Sequence, residues 1–406
     1  MTTNNNVSTS FSSVKQWKEE QSAFYSQNGL PTRKHEEYKY MRTEELVPFL
    51  ETKAVVSNIA EYSSITPVTV SYNVVTGEIH TQNTIPSLSI QKLTNALLNT
   101  KDIYKEVLTA IPFQDPFQAN HIANFTHGIV LESTANSIVE TIHIEYIIPA
   151  DAPNWVYPTV LVIANENSEL NILESYKCTN VNPVIIVENK KYYTASNSIL
   201  KVHFIQNFNM NTALHSSVQF LQATNSKAHS FTVTLGGKWV RNNLTFSLKG
   251  EYAESYLQGL YFPSASNVID NHTLVQHLVP NCYSMENYKG IIQDKGTAVF
   301  NGKIFVAPDA QKTNAYQSNK NILLSKEGSV NTKPQLEIFA NDVKCSHGSS
   351  TGTLDPDMLF YMQARGIELG KAKKMLIVAM IEEIIQSSGN TVEMKSVIDY
   401  ITHSIL

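Results

Sequence analysis

The stretch that most restricts the fold of this chain begins near Gly128 and runs to about Gly352: short apolar alternations broken by Asn, Gly and Ser. Leu200, Val202 and Phe204 put apolar side chains on one face while Lys201 and His203 take the other. Leu244, Phe246 and Leu248 do the same against Asn243, Thr245 and Ser247. Side chains alternate across a strand, so these segments read as half-buried strands. Candidates recur every ~10 residues with turn residues between them, which suits a sandwich or barrel or a parallel β-helix. The length of the array and the scarcity of tight hairpin turns favour the β-helix. Asn301-Gly302, between Ala298-Val299-Phe300 and Ile304-Phe305-Val306, is a hairpin signal pointing the other way. No strict repeat motif is visible, so periodicity alone leaves the choice open.

On either side the period changes. Val14, Trp17 and Phe24 with interleaved Lys and Glu predict an amphipathic helix from Ser13 that stops near Gly29. Pro31 to Tyr40 is a dense block of charge and aromatic rings, a composition that usually marks a solvated surface. Helical spacing returns over Ser89 to Leu98 (Leu93, Leu97, Leu98) and Ile103 to Ile111, with a little strand near Pro67 to Ile79. Near the C-terminus, Asp355-Pro356 is an N-cap with Pro at the first helical position. Gly366 is a stop for a short helix carrying Leu359, Phe360 and Tyr361. A longer helix, Leu369 to Gln386, has Ala372, Met375, Leu376, Ala379 and Met380 on one face, widened by Ile377, Ile381, Ile384 and Ile385. A stripe that wide predicts a buried central helix. A third segment, Thr391 to Ile405, covers one side and leaves an apolar docking patch. The chain therefore divides into 1–127, mainly helical; 128–352, the β array; and 353–406, helical.

Bulk properties exclude several classes. A formal net charge of −5 over 406 residues, with no basic patch, argues against nucleic acid and anionic membranes as partners. Three widely spaced cysteines, Cys178, Cys282 and Cys345, make no disulfide framework and point to a reducing compartment. Met1 to Ser13 lacks the basic and apolar regions of a secretory signal, and Met375 to Ile385 is too short to span a bilayer. The expected location is cytoplasmic.

The chemistry-bearing stretch is Val343 to Gly352, where Cys345 and His347 lie two residues apart. On extended backbone the period of two aims both side chains at one face. A soft sulfur and an imidazole so placed suit metal binding or sulfur transfer, although buried packing is the ordinary fate of a lone Cys. Two ligands fall short of the four that commonly hold an iron–sulfur cluster, so such a site needs a second chain. Other motifs fail. Gly296 to Lys303 has five residues between its glycines where a phosphate loop needs four, and Ile304 replaces the Ser or Thr. His272, His277 and Cys282 have neither helical nor zinc-finger spacing. No Gly-x-Ser-x-Gly surrounds Ser346.

Taken in order, several runs resemble one known family: Lys289-Gly290-Ile291, Phe300-Asn301-Gly302-Lys303-Ile304-Phe305-Val306, Ala310-Gln311-Lys312-Thr313-Asn314-Ala315, Asn321-Ile322-Leu323-Leu324, Pro334-Gln335-Leu336-Glu337-Ile338, Asp342-Val343-Lys344-Cys345-Ser346-His347-Gly348 and Leu359 to Ile367. The family is that of the SufB/SufD iron–sulfur cluster assembly proteins, and the likeness covers roughly residues 270 to 385. Arg33 to Tyr40 resembles a second signature of the family, with Tyr38 where Trp is usual. The Cys-Ser-His-Gly form, the shorter length and the lack of a Cys-x-x-Cys point to the SufD branch.

The resemblance implies a mainly β fold, a right-handed parallel β-helix core flanked by N-terminal and C-terminal α-helical regions. It implies a non-catalytic scaffold subunit of the SUF assembly complex, paired with SufB through the β-helix. SufC, an ABC-type ATPase that carries the ATP hydrolysis, would dock on the C-terminal helices through Leu359, Phe360, Tyr361, Met362, Arg365, Gly366 and Ile367. His347 matches an interface histidine opposite a SufB cysteine, a shared metal ligand for nascent iron and sulfide, with Cys345 ranked second. No cofactor is expected to stay on the isolated chain; an iron–sulfur cluster is transient cargo of the complex. An unpaired strand edge around Thr297 to Ile338 predicts a homodimer when the chain is alone. The alternative, a β-helix polysaccharide-active enzyme, wants an Arg and clustered acids on one ladder and a secretion signal; neither is apparent.

Overall fold

A strand needs its backbone edges paired and its apolar face covered, and this chain pairs the edges by stacking coil on coil and covers the inner faces with a facing sheet. The computed structural model describes residues 11–41, 43–51, 68–98, 102–110, 115–387 and 401–402. From Ile129 to Gly352 the chain forms a parallel β-helix of two facing sheets. One sheet ends with Glu254–Tyr261, Tyr283–Ile292, Thr313–Leu323 and Val343–Gly352; the other ends with Trp239–Leu248, Val268–His277, Thr297–Val306 and Ser329–Ile338. Val268 pairs with Thr297 and Thr297 with Ser329, so the coil repeats roughly every 30 residues. The spacing of strands is wider than the ten residues read from sequence because the central strands themselves are eight to 11 residues long.

Asn301-Gly302, the hairpin signal, sits inside the strand Thr297–Val306. The glycine is there for space: a Cβ at Gly302 would run into the Gln317 side chain, which crosses the interior from the facing sheet. Of the edge expected around Thr297 to Ile338, Thr297–Val306 is paired on both sides. Among the described residues the free edges at this end are Ser329–Ile338 and Val343–Gly352.

One corner of the solenoid carries the repeat that the linear pattern hid. Asn136, Asn167, Asn197, Asn225, Tyr252, Asn281 and Lys312 all have left-handed backbone with φ of 54–64°, a conformation Asn tolerates better than most residues. Each marks one coil. The N–H groups of Asn136, Asn167, Asn197, Asn225, Asn281 and Lys312 reach the next coil, as from Asn167 to Ser196 O (3.2 Å) and from Asn225 to Glu251 O (2.8 Å). The following residues, Ser168, Ser198 and Ser226, donate their hydroxyls to Asn165 O, Ala195 O and Ala223 O. Cys282 follows Asn281 in the same column and directs its Sγ at Pro280 O (3.5 Å) and Gly250 O (3.4 Å).

Helices lie outside both sheets. Phe11–Asn28 ends at Gly29 (φ 64°), Pro116–Asn124 is capped by Asp115, and Asp102–Thr109 packs beside them. Leu88–Lys92 is a strand, antiparallel to Ile129–Ser133, and only Leu93–Leu98 of the expected Ser89 to Leu98 helix is helical. The N-terminal segment covers the second sheet: Tyr38, Met41, Leu46, Phe49 and Phe117 pack on Ile185, Val187, Ala213 and Trp239. Asn243, Thr245 and Ser247 are therefore buried rather than facing water. The helix Leu369–Ser387 lies against the outside of the first sheet through Ile377, Ile381, Ile384 and Ile385, which meet Leu173, Ile205, Phe231, Leu260 and Ile291. It is a cover, not a central helix: Ala379 and Met375 face outward, and the isoleucines that seemed to widen the stripe form the packed one. The third segment lies outside the described residues apart from 401–402. No described helix is long and apolar enough to cross a membrane.

Candidate functional site

Val343–Gly352 is the last strand of its sheet, parallel to Thr313–Leu323 and, among the described residues, open on its other side. The register sets Cys345 on Ala315 and His347 on Gln317. Ala315 and Gln317 both point inward and are buried, so Cys345 and His347 point along the same inner face. With no coil beyond them among the described residues, their surroundings differ. Cys345 is half-buried against Ile304, Val306, Ala310, Ala315 and Ala340, whereas His347 is exposed. Burial pushes the Cys345 thiol up from its usual range, which disfavours the thiolate that binds metal. Thr332 and Ser349 hydroxyls meet at 3.0 Å and join the two edge strands.

Beneath this end the solenoid interior is polar. Glu286, Gln317 and His347 occupy successive rungs of one column. Gln317 Nε2 donates to Glu286 Oε2 (2.8 Å), and Thr273 donates its hydroxyl to Glu286 Oε1. Burial raises the Glu286 carboxyl to about 7, against the lowering effect of those two hydrogen bonds. Neither Glu286 nor Gln317 stood out in the sequence, although each falls at an inward position of an alternating strand, where a charged or amide side chain is uncommon.

Deeper in, Glu174, Glu188 and Lys190 form a fully buried ionic group. Lys190 Nζ lies 2.8 Å from Glu174 Oε2 and 3.3 Å from Glu188 Oε2. Tyr146 and Tyr192 donate to Glu174 and Tyr176 to Glu188. Burial and the adjoining carboxylates keep all three phenols well above their usual pKa, so they remain donors. Each charge here has its partners.

The structure separates the weaker candidates. His272 points out, 3.0 Å from Asp270 and 3.2 Å from Glu37, while His277 points in and lies 2.8 Å from Ser284. Cys282 belongs to the corner column. Lys303, the last residue of the phosphate-loop lookalike, pairs with Glu337 at 2.6 Å in mid-strand. Among the described residues no group of three His, Cys, Asp or Glu side chains is arranged to hold a metal ion.

The Arg33 to Tyr40 block does not behave as a solvated surface throughout. Tyr38 is buried, donates to Asp115, and carries the Arg241 guanidinium over its ring at 4.0 Å. Arg241 in turn binds Asp270 (2.9 Å) and Glu37 O (2.6 Å), tying the N-terminal segment to the sheet. At the other end, Asp355 accepts from Asp357 N–H and Met358 N–H to start the helix Pro356–Ala364. Gly366 (φ 86°) and Ile367 close it on Gln363 O and Met362 O. Phe360 is 73% and Tyr361 59% exposed, Arg365 stands 5.0 Å over the Tyr361 ring, and Leu359, Met362 and Ile367 are half-buried. Met358, Leu369 and Met375 on the same two helices are exposed as well.

The family model described as SUF system FeS cluster assembly, SufBD core domain, matches residues 146–380, more than half of the chain. The chain belongs to the SufBD family. The matched span runs from the ionic group in the interior through His347 into the C-terminal helix. The iron–sulfur cluster assembly protein SufD of Escherichia coli is 33% identical over 232 residues, 55% of each chain. A SufBD family iron–sulfur cluster assembly protein of Synechocystis is 28% identical over 324 residues, 76% of this chain and 71% of its own. Bacillus subtilis SufD is 24% identical over 280 residues, 66% and 62% of the two chains. The chain thus spans about half to seven-tenths of the length of these curated relatives.

Proposed function

We propose that this SufBD chain is a non-catalytic scaffold subunit for iron–sulfur cluster assembly, in which His347 offers an imidazole lone pair to nascent iron at an interface with a SufB-type chain. The observation that carries the reading is an exposed imidazole on the terminal strand of a solenoid, an edge left unpaired among the described residues. A free strand edge pairs readily with another chain, and pairing would bring a second set of donors to face His347. Imidazole and thiolate from two chains can hold iron and sulfide together, and an incomplete set on each lets the product leave. Cys345 serves as packing beneath the site. The edge also supports a homodimer when the chain is alone. The exposed rings of Phe360 and Tyr361 support docking of a SufC-type ATPase on the C-terminal helices. Three unpaired cysteines fit a reducing compartment, the cytoplasm.

The test is reconstitution with a SufB-type chain, a SufC-type ATPase, a cysteine desulfurase and ferrous iron, followed by visible charge-transfer absorption. His347→Ala should abolish cluster formation while the complex still co-purifies. His347→Asn should fail as well, because an amide is a poor donor to iron, and His347→Cys should retain part of the activity. Full activity of His347→Asn in an intact complex would remove the ligand assignment.

A further inference from the structure

We propose that Gln317 is a positioning residue for His347. Held from the solenoid interior by Glu286, its carboxamide offers Oε1 to an imidazole N–H on the next rung and leaves the other ring nitrogen free to bind iron. The inference rests on the scaffold reading above and deepens it.

Three observations converge on this carboxamide. Parallel pairing puts Glu286, Gln317 and His347 on successive rungs, about 4.8 Å apart, all on the inner face. Glu286 Oε2 takes a hydrogen bond from Gln317 Nε2 (2.8 Å), which fixes the amide: its nitrogen faces Glu286 and its oxygen faces away. When Glu286 is protonated, its O–H can turn to Thr273 and Oε2 still accepts from Gln317. Gln317 Oε1 is then buried with no hydrogen-bond partner. Buried acceptors are rarely left in that state. Gly302, on the facing sheet, keeps the space that the Gln317 side chain fills. A glycine, a buried carboxyl and an orphan acceptor thus hold one amide beneath an imidazole that, among the described residues, has no hydrogen-bond partner of its own. A neutral imidazole that donates from one nitrogen presents a lone pair on the other, and the partner of the donating nitrogen sets which is which.

The test uses the full-length chain carrying 15N-labelled histidine, alone and in complex with a SufB-type chain, with the His347 signals assigned by their loss in His347→Asn. Ring-nitrogen shifts should show one fixed tautomer of His347 in the complex. Gln317→Met should mix the tautomers and slow cluster formation about tenfold, the usual scale for losing a hydrogen bond behind a metal-binding imidazole. Exchanging the pair, Glu286→Gln with Gln317→Glu, keeps the inner hydrogen bond, turns a carboxylate oxygen toward His347, and should restore both readouts. If Gln317→Met does not fold, the exchanged pair decides, and mixed tautomers in it overturn the proposal. Unchanged tautomer and rate in folded Gln317→Met, with His347→Ala inactive, overturns the positioning role and leaves the scaffold reading standing. Full activity of His347→Ala removes the ligand assignment of the proposed function instead, an outcome the tautomer measurement tells apart.

Discussion

Glu286 provides a stability test of the polar interior with a definite sign. Its carboxyl is raised from 4.5 to about 7, chiefly by burial. The folded chain therefore holds this proton more tightly than the unfolded chain. Below about pH 4.5 both states are protonated and the group contributes nothing. Between there and about pH 7 the unfolded state ionises first and stability falls. Above about 7 the whole penalty is in place. At 1.36 kcal/mol per unit the penalty is about 3 kcal/mol. Glu286→Gln keeps the shape and the hydrogen bonds to Thr273 and Gln317 but cannot ionise. Denaturant unfolding of variant and wild type should coincide near pH 4.5, and the variant should be more stable by up to about 3 kcal/mol at pH 8. A variant equally or less stable at pH 8, or a difference independent of pH, would refute the buried, raised carboxyl.

Further outcomes follow from the same structure. Lys190→Met leaves Glu174 and Glu188 buried without their cation and should lower unfolding stability by about 3–5 kcal/mol, read by denaturant titration. Cys282→Ser puts a hydroxyl where Ser168, Ser198 and Ser226 sit on other coils. Unfolding stability should change by no more than about 1 kcal/mol and reconstituted assembly should persist; loss of assembly would give Cys282 a chemical role. Phe360→Asp combined with Tyr361→Asp changes only exposed rings, so stability should hold within about 0.5 kcal/mol. Capture of a SufC-type ATPase, measured by calorimetry, should weaken at least tenfold, by the roughly 1.4 kcal/mol of a lost apolar anchor.

Alternation over Leu200–Phe204 and Leu244–Leu248 was enough to place those side chains in the interior, because the two faces of a strand follow sequence parity alone. Asp355, Pro356 and Gly366 likewise marked a helix whose caps are local hydrogen bonds. The choice between sandwich and solenoid was not local. It depends on which strand pairs with which, and Asn301-Gly302 misled because the need for glycine there comes from Gln317 on the facing sheet. The corner repeat at Asn136, Asn167, Asn197, Asn225 and Asn281 was written in the sequence, yet Tyr252 and Lys312 break it, since the backbone conformation recurs even where the residue does not.

For the site, sequence alone put Cys345 and His347 on one face, which strand geometry requires. It could not show that one is half-buried and the other exposed, that Gln317 and Glu286 lie in their column, or that Tyr38 locks onto Arg241. Those facts belong to the tertiary structure because parallel pairing brings together residues roughly 30 apart, and the end of the solenoid, rather than any residue in it, decides which inner face meets solvent.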